Sequence, residues 1–211
     1  MKIVLYKRNN LIGTAGGSEK VLCRFANEMT SRGHEVALMT RDYAVGVPFY
    51  PLSDKVRICN FPVSCDSSLN LALRALDKLL FMVGGIIPAA AKLTRAYKRA
   101  VFMNERLREE KPDILVTAGI SDLTDFSYGH RLPVPSVVMI HSEPSVFFRR
   151  RGFIKERLYR KTAAEADVVQ VLFSEYEKTV RRFGAERTAV IGNAVELSKL
   201  SATSTSDKKD Y

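Results

Sequence analysis

The residues best suited to chemistry lie in one short loop, Ile12-Gly13-Thr14-Ala15-Gly16-Gly17-Ser18-Glu19-Lys20, between an apolar run and an amphipathic one. At the carboxyl end of a strand, glycines let backbone approach a ligand closely. The free N–H groups of the helix that follows, with its dipole, favour an anion there. A phosphate or pyrophosphate is the natural occupant. The spacing G-x-x-G-G lacks the G-K-[ST] ending of a P-loop and does not match G-x-G-x-x-G, so both common nucleotide fingerprints are missing. A tight strand-to-helix turn would use the same glycines. Arg41-Asp42, after the second apolar run, sits where a nicotinamide-dependent oxidoreductase reads the ribose, but the glycine fingerprint for that class is wrong.

Positioning this loop requires alternating strands and helices. Short apolar, β-branched runs recur at Lys2–Tyr6, Glu35–Thr40, Val56–Phe61, Asp113–Thr117, Ser136–Ile140, Asp167–Leu172 and Thr188–Ile191. Several are apolar without alternation, as expected when helices cover both faces of a parallel sheet. The expected fold class is therefore α/β, a Rossmann-like doubly wound parallel sheet of about seven strands flanked by helices. Val21, Leu22, Phe25, Ala26 and Met29 predict a helix over Ser18–Arg32 with Gly33 as its C-cap. The zone Leu69–Glu110 reads as two helices broken near Gly84-Gly85 and Pro88, the second with Leu93, Tyr97, Val101 and Leu107 on one face. Further helices are expected over Phe153–Glu165 and Ser174–Phe183, the latter N-capped by Ser174 with Glu177 at capping-box spacing. The polar, aperiodic stretch after Ser198 reads as a solvated linker or tail, dividing the chain into a lobe over residues 1–196 and a linker over 197–211.

A chain of 211 residues suits one well-buried domain, and 46% apolar with 27% charged residues is ordinary globular composition. The 33 Lys and Arg against 23 Asp and Glu leave +10, which favours phosphate-rich partners. Nucleic acid fits the charge but no recognition motif, and is set aside. Cys23, Cys59 and Cys65 form neither a C-x-x-C pair nor a set with histidine, so no metal or disulfide framework is expected. With no signal-peptide apolar region and no stretch near the roughly 20 residues that cross a bilayer, a cytoplasmic protein is expected.

Gly16-Gly17-Ser18-Glu19-Lys20-Val21-Leu22, followed by Ser31-Arg32-Gly33-His34-Glu35-Val36, resembles the opening of glycosyltransferase family 4. Lys111-Pro112-Asp113-Ile114-Leu115-Val116 resembles that family's strand into the cleft. Val138-Met139-Ile140-His141-Ser142-Glu143-Pro144 resembles its histidine-bearing loop, and Ala166–Ser174 with Val190–Glu196 the end of its first lobe. The resemblance implies one lobe of a GT-B architecture, the acceptor-side half of a retaining enzyme that moves a sugar from a UDP- or GDP-linked nucleotide sugar to a glycan or lipid-linked acceptor, in polysaccharide or cell-envelope synthesis. It implies Gly16 and Gly17 at the donor pyrophosphate and His141 as the catalytic-site residue near the transferring sugar. Ser18, Lys20, Gly119 and Glu143 become acceptor-side candidates, with no cofactor. It further implies a second lobe bearing most of the donor contacts, so the chain alone is expected to have little or no activity.

Phe147-Phe148-Arg149-Arg150-Arg151 combines apolar anchors with a cationic run, and the helical zone Leu69–Glu110 adds Arg74, Lys78, Lys92, Arg95, Lys98 and Arg99. This suits peripheral docking on an anionic leaflet, at the inner face of the plasma membrane, near a lipid-linked acceptor. A noncatalytic single lobe that pairs with another chain is the other reading of the same domain.

Overall fold

The computed structural model describes residues 1–62, 87–128, 131–146 and 153–193, and gives side-chain surroundings for all of these but 87–95, 153 and 154. Seven parallel strands form one sheet: β1 (Lys2–Lys7), β2 (Glu35–Thr40), β3 (Arg57–Asn60), β4 (Ile114–Thr117), β5 (Ser136–Ile140), β6 (Val168–Val171) and β7 (Thr188–Val190). Their order is β3-β2-β1-β4-β5-β6-β7. The chain therefore reverses direction of growth between β1 and β4, the switch point where open α/β sheets bind ligands. Register is direct across that pair, with Ile3 opposite Ile114 and Tyr6 opposite Thr117.

Alternate residues of β1 enter two cores, as the two-residue strand period demands. Ile3 and Leu5 pack with Leu22, Cys23 and Ala26 of α1 (Gly17–Ser31) on one face. Val4 and Tyr6 pack on the other face with α2 (Ile87–Glu110), α3 (Ile120–Ser127), α4 (Phe153–Glu165) and α5 (Ser174–Arg182). Both faces are covered, which is why the strands read as continuous apolar runs.

All seven expected strands are present, shifted at their ends by no more than a residue or so. Gly33 lies in the left-handed region (φ 84°) just past the Arg32 C-cap, where a side chain is strained. Pro88 falls in the first turn of α2, a position proline tolerates; the segment expected as the preceding helix lies outside the described residues. Three expectations need correction. Helix α3 was not anticipated. On α2 the buried side is formed by Ala100, Met103 and Leu107, whereas Tyr97 and Val101 are exposed, because α3 and the sheet meet the helix along a different stripe. Ser174 is the first helical residue of α5 and Phe173 its N-cap. No capping box forms, since the Glu177 carboxylate accepts from Thr188 and Arg181 instead. The 197–211 tail lies outside the described residues.

Candidate functional site

The glycine loop leaves the carboxyl end of β1, and its first part is held rigidly. Asp42, just past β2, is buried and accepts hydrogen bonds from three consecutive backbone N–H groups: Asn10 (2.7 Å), Leu11 (2.7 Å) and Ile12 (2.9 Å). Three donors on one carboxylate fix the loop's path before Gly13. This also removes the support for a ribose-reading Asp42, because its oxygens are already engaged with backbone.

Gly16 is the N-cap of α1 and has ordinary extended backbone (φ −114°). Its lack of a side chain matters for a different reason. Glu19 folds back over it, so that a Cβ at Gly16 would overlap Oε2 of that carboxylate. The start of the helix therefore already holds an anion, the protein's own. Glu19 is 5% exposed and pairs with Lys7 Nζ at 3.0 Å, while Ser18 Oγ donates to it at 3.1 Å. Burial alone would raise its pKa, but its own backbone N–H, Lys7 and Ser18 together hold it below the usual glutamate value. Gly17 differs: it is exposed, and a Cβ there would meet nothing within 4 Å. Its backbone is open to an incoming group.

Lys7, the last residue of β1, ties the site together. Its Nζ also donates to Ser18 Oγ at 3.3 Å. Its charge bears on Asp122 of α3, after β4, and on His141, after β5. His141 is half-buried; burial lowers its pKa below the ordinary value, the neighbouring Asn193 side chain opposes this, and Lys7 pushes it down further. Both ring nitrogens are enclosed, and neither makes a hydrogen bond among the described residues. A neutral imidazole with unsatisfied nitrogens can donate to or accept from a hydroxyl.

Asp122 is 8% exposed, and Ser121 Oγ donates to its carboxylate at 3.4 Å. Burial raises its pKa to about 6 against the opposing pull of Arg8 and Lys7. Arg8 is directed elsewhere, to the fully buried Asp125, which Tyr6 Oη (2.7 Å), Arg8 Nε (2.6 Å) and Arg99 also engage. Gly119, the N-cap of α3, is buried beside Asp122.

Of the residues singled out from sequence, Gly16, Gly17, Ser18, Gly119 and His141 come to the same end of the sheet, around Lys7. Lys20 is exposed one residue beyond Glu19. Glu143 is exposed and accepts from the Ser145 hydroxyl. Phe147, Phe148, Arg149, Arg150 and Arg151 lie outside the described residues, as do Arg74 and Lys78. Arg99 is corrected: it pairs inward with Asp125 rather than serving a basic surface. Lys7, Glu19 and Asp122 were missed. The x-x-E three residues after Gly16 was a usable signal for Glu19, because first-turn acids face back to the helix start. Asp122 had none, being in an unanticipated helix. Among the described residues no His, Cys, Asp and Glu cluster could hold a metal, and no helix is long and apolar enough to cross a membrane.

The sequence profile of Glycosyltransferase Family 4 matches residues 15–199. No curated protein matches. Among solved structures, sucrose-phosphate synthase from Thermosynechococcus elongatus superimposes with a TM-score of 0.60 at 14% identity, covering 93% of this chain and 49% of that one. An alpha-glucosyltransferase in complex with UDP and DNA gives 0.48 at 13%, with 98% and 46% covered. The chain thus spans about half the length of the enzymes it resembles. The profile covers most of the chain, and the fold superimposes on the first of these structures, so the chain belongs to glycosyltransferase family 4 and has the Rossmann-like fold of an N-terminal GT-B lobe.

Proposed function

We propose that this lobe is the acceptor-side half of a retaining glycosyltransferase that takes a sugar from a UDP- or GDP-linked donor to a glycan or lipid-linked acceptor in envelope polysaccharide synthesis. The observation that carries this reading is the open backbone of Gly17 at the start of α1, beside the Lys7 cation and at the β1/β4 switch point. As the bond from the anomeric carbon to phosphate breaks, negative charge grows on the departing diphosphate. Fixed N–H dipoles and a nearby ammonium oppose that charge at no reorganisation cost.

Glu19 occupies the neighbouring position, so a diphosphate approaching Gly16 and Gly17 must move its carboxylate aside. Lys7 then exchanges one anion for another. Neutral His141 hydrogen-bonds a hydroxyl of the transferring sugar, and Asp122, with Ser18 and Gly119, forms the acceptor side. The remaining donor contacts come from a second lobe, and the lipid-linked acceptor places the enzyme peripherally on an anionic leaflet with Phe147–Arg151 against it. No cofactor is required for displacement at an activated anomeric carbon. The same lobe as a noncatalytic partner of another chain is excluded if a form with its own second lobe turns over.

The test is saturation-transfer NMR and donor hydrolysis with a panel of nucleotide sugars, on this chain and on a form extended by a second Rossmann-like lobe. Diphosphate binding by both, with turnover confined to the longer, is expected. Turnover by neither, with no binding of any nucleotide sugar, removes the proposal.

A further inference from the structure

The connection from β2 to β3 presents an unusual surface. Tyr43, Val45, Val47 and Phe49 are 72%, 93%, 71% and 61% exposed. Between Asp42 and Asp54 the chain carries no charged residue. Isolated exposed apolar side chains are normal, but four in seven residues on one tip form a patch. The loop is also pinned. Asn60 Nδ2 donates to the carbonyls of Asp42 (3.3 Å) and Ala44 (3.1 Å), and Pro48 bridges to Ile12 of the glycine loop. The Asn27 side chain of α1 holds Pro51 O (3.0 Å) and Ser53 N–H (2.8 Å), and the Phe49 and Tyr50 rings pack edge to face. The base is thus fixed to α1 and to the site, while the apolar tip stays in water.

We infer that Tyr43–Phe49 is a membrane-insertion loop, whose tip enters the headgroup and acyl boundary of an anionic bilayer and sets the open end of the β1/β4 cleft at the lipid surface. Two features favour lipid over protein as the occupant. Four side chains on one loop offer a few hundred Å², well below the roughly 800 Å² per partner of a stable protein interface, whereas shallow insertion requires only a narrow apolar tip. The net charge of +10, with Lys20 exposed on the first turn of α1, complements an anionic leaflet. The inference rests on the membrane setting of the proposed function, adds a contact distinct from Phe147–Arg151, and places the acceptor-side groups within reach of a lipid headgroup.

The chain contains no tryptophan, so Phe49→Trp introduces a single indole reporter. The 211-residue variant is mixed with phosphatidylcholine–phosphatidylglycerol vesicles, with and without bromine on the acyl chains, alongside flotation of the unsubstituted chain and of Val45→Asp/Val47→Asp. The inference expects a blue shift, quenching by brominated acyl chains, and a vesicle partition coefficient lowered about tenfold or more by the aspartates. If the chain floats but the indole is neither shifted nor quenched, and the aspartates change nothing, the loop assignment fails while the membrane setting stands. If nothing floats, both fail, and nucleotide-sugar binding still judges the transferase reading separately. A blue shift that follows protein concentration without vesicles assigns the patch to a second copy and overturns the inference. Should Phe49→Trp lose the native circular dichroism, Tyr43→Trp reads the same tip.

Discussion

Asp122→Asn is expected to make the protein more stable at neutral pH, and much less so in acid. The folded environment raises the Asp122 pKa from 3.8 to about 6, mainly through burial, while Asp125 adds repulsion and Arg8, Lys7 and the Ser121 hydroxyl relieve part of it. A carboxyl whose folded pKa exceeds its unfolded one is neutral in both states well below the lower pKa, so it costs nothing there. As pH rises from about 4 to 6 the unfolded chain releases the proton first, and stability falls. Above pH 6 the full penalty applies. Two units at about 1.4 kcal/mol each give an upper figure of about 3 kcal/mol. Asparagine keeps the shape and never ionises, so the variant gains up to about 3 kcal/mol at pH 7.5, or roughly 6–12 °C in Tm for a domain of this size. At pH 4, next to the unfolded pKa, the gain falls to about 0.5 kcal/mol. Urea unfolding of both proteins at the two pH values measures the difference, in which all other titrating groups cancel. A gain that is the same at both pH values, or a loss at pH 7.5, refutes the reasoning and means that Lys7 and Arg8 fully compensate the charge. A gain in stability accompanied by weaker acceptor binding identifies the carboxylate as retained for function at the expense of the fold.

Other perturbations read neighbouring parts of the site. Gly17→Ala meets open space, so Tm stays the same or rises by the equivalent of up to about 1 kcal/mol, while nucleoside diphosphate binding by calorimetry weakens about tenfold. Glu19→Gln removes the anion paired with Lys7 and costs about 1–2 kcal/mol in denaturant unfolding at pH 7, yet tightens diphosphate binding because the carboxylate no longer competes. Because the Glu19 pKa is depressed, its stabilisation is complete above the unfolded glutamate pKa and is lost as pH falls through the folded one; that part of the acid slope is expected to disappear in the Gln variant. Asp42→Ala strips three backbone amides of their acceptor, costs about 3 kcal/mol or more, and speeds hydrogen exchange at Asn10, Leu11 and Ile12.

The strands were legible in the sequence because both sheet faces are covered, which leaves apolar runs such as Val137–Ile140 that few other structures require. The first helix was legible because one face alone packs on the sheet. Helix α3 was hidden for the opposite reason: seven of its eight residues are buried, four of them polar, so no apolar stripe with a wet face exists to be seen. The partners that bury Asp122 and Asp125 come from β1 and α2, remote in sequence. Asp42 shows the same limit, since the amides it binds lie 30–32 residues earlier and only the parallel β1/β2 pairing brings them near. At Ser174 the capping spacing was present, but Thr188 and Arg181 offered Glu177 better partners. The glycines pointed to the anion position, and the Gly16–Glu19 contact shows that a resident carboxylate already uses it.

The central claim is that the start of α1 receives a donor diphosphate at Gly17. Titrating the isotopically labelled chain with UDP and with GDP, and following the backbone amides by NMR, tests it directly. The account predicts saturable shifts largest at Gly17 and Ser18, with the Lys7 and Glu19 side-chain signals moving in step, and their loss in Gly17→Ala. Saturable binding that leaves these amides unmoved and shifts residues elsewhere would contradict it.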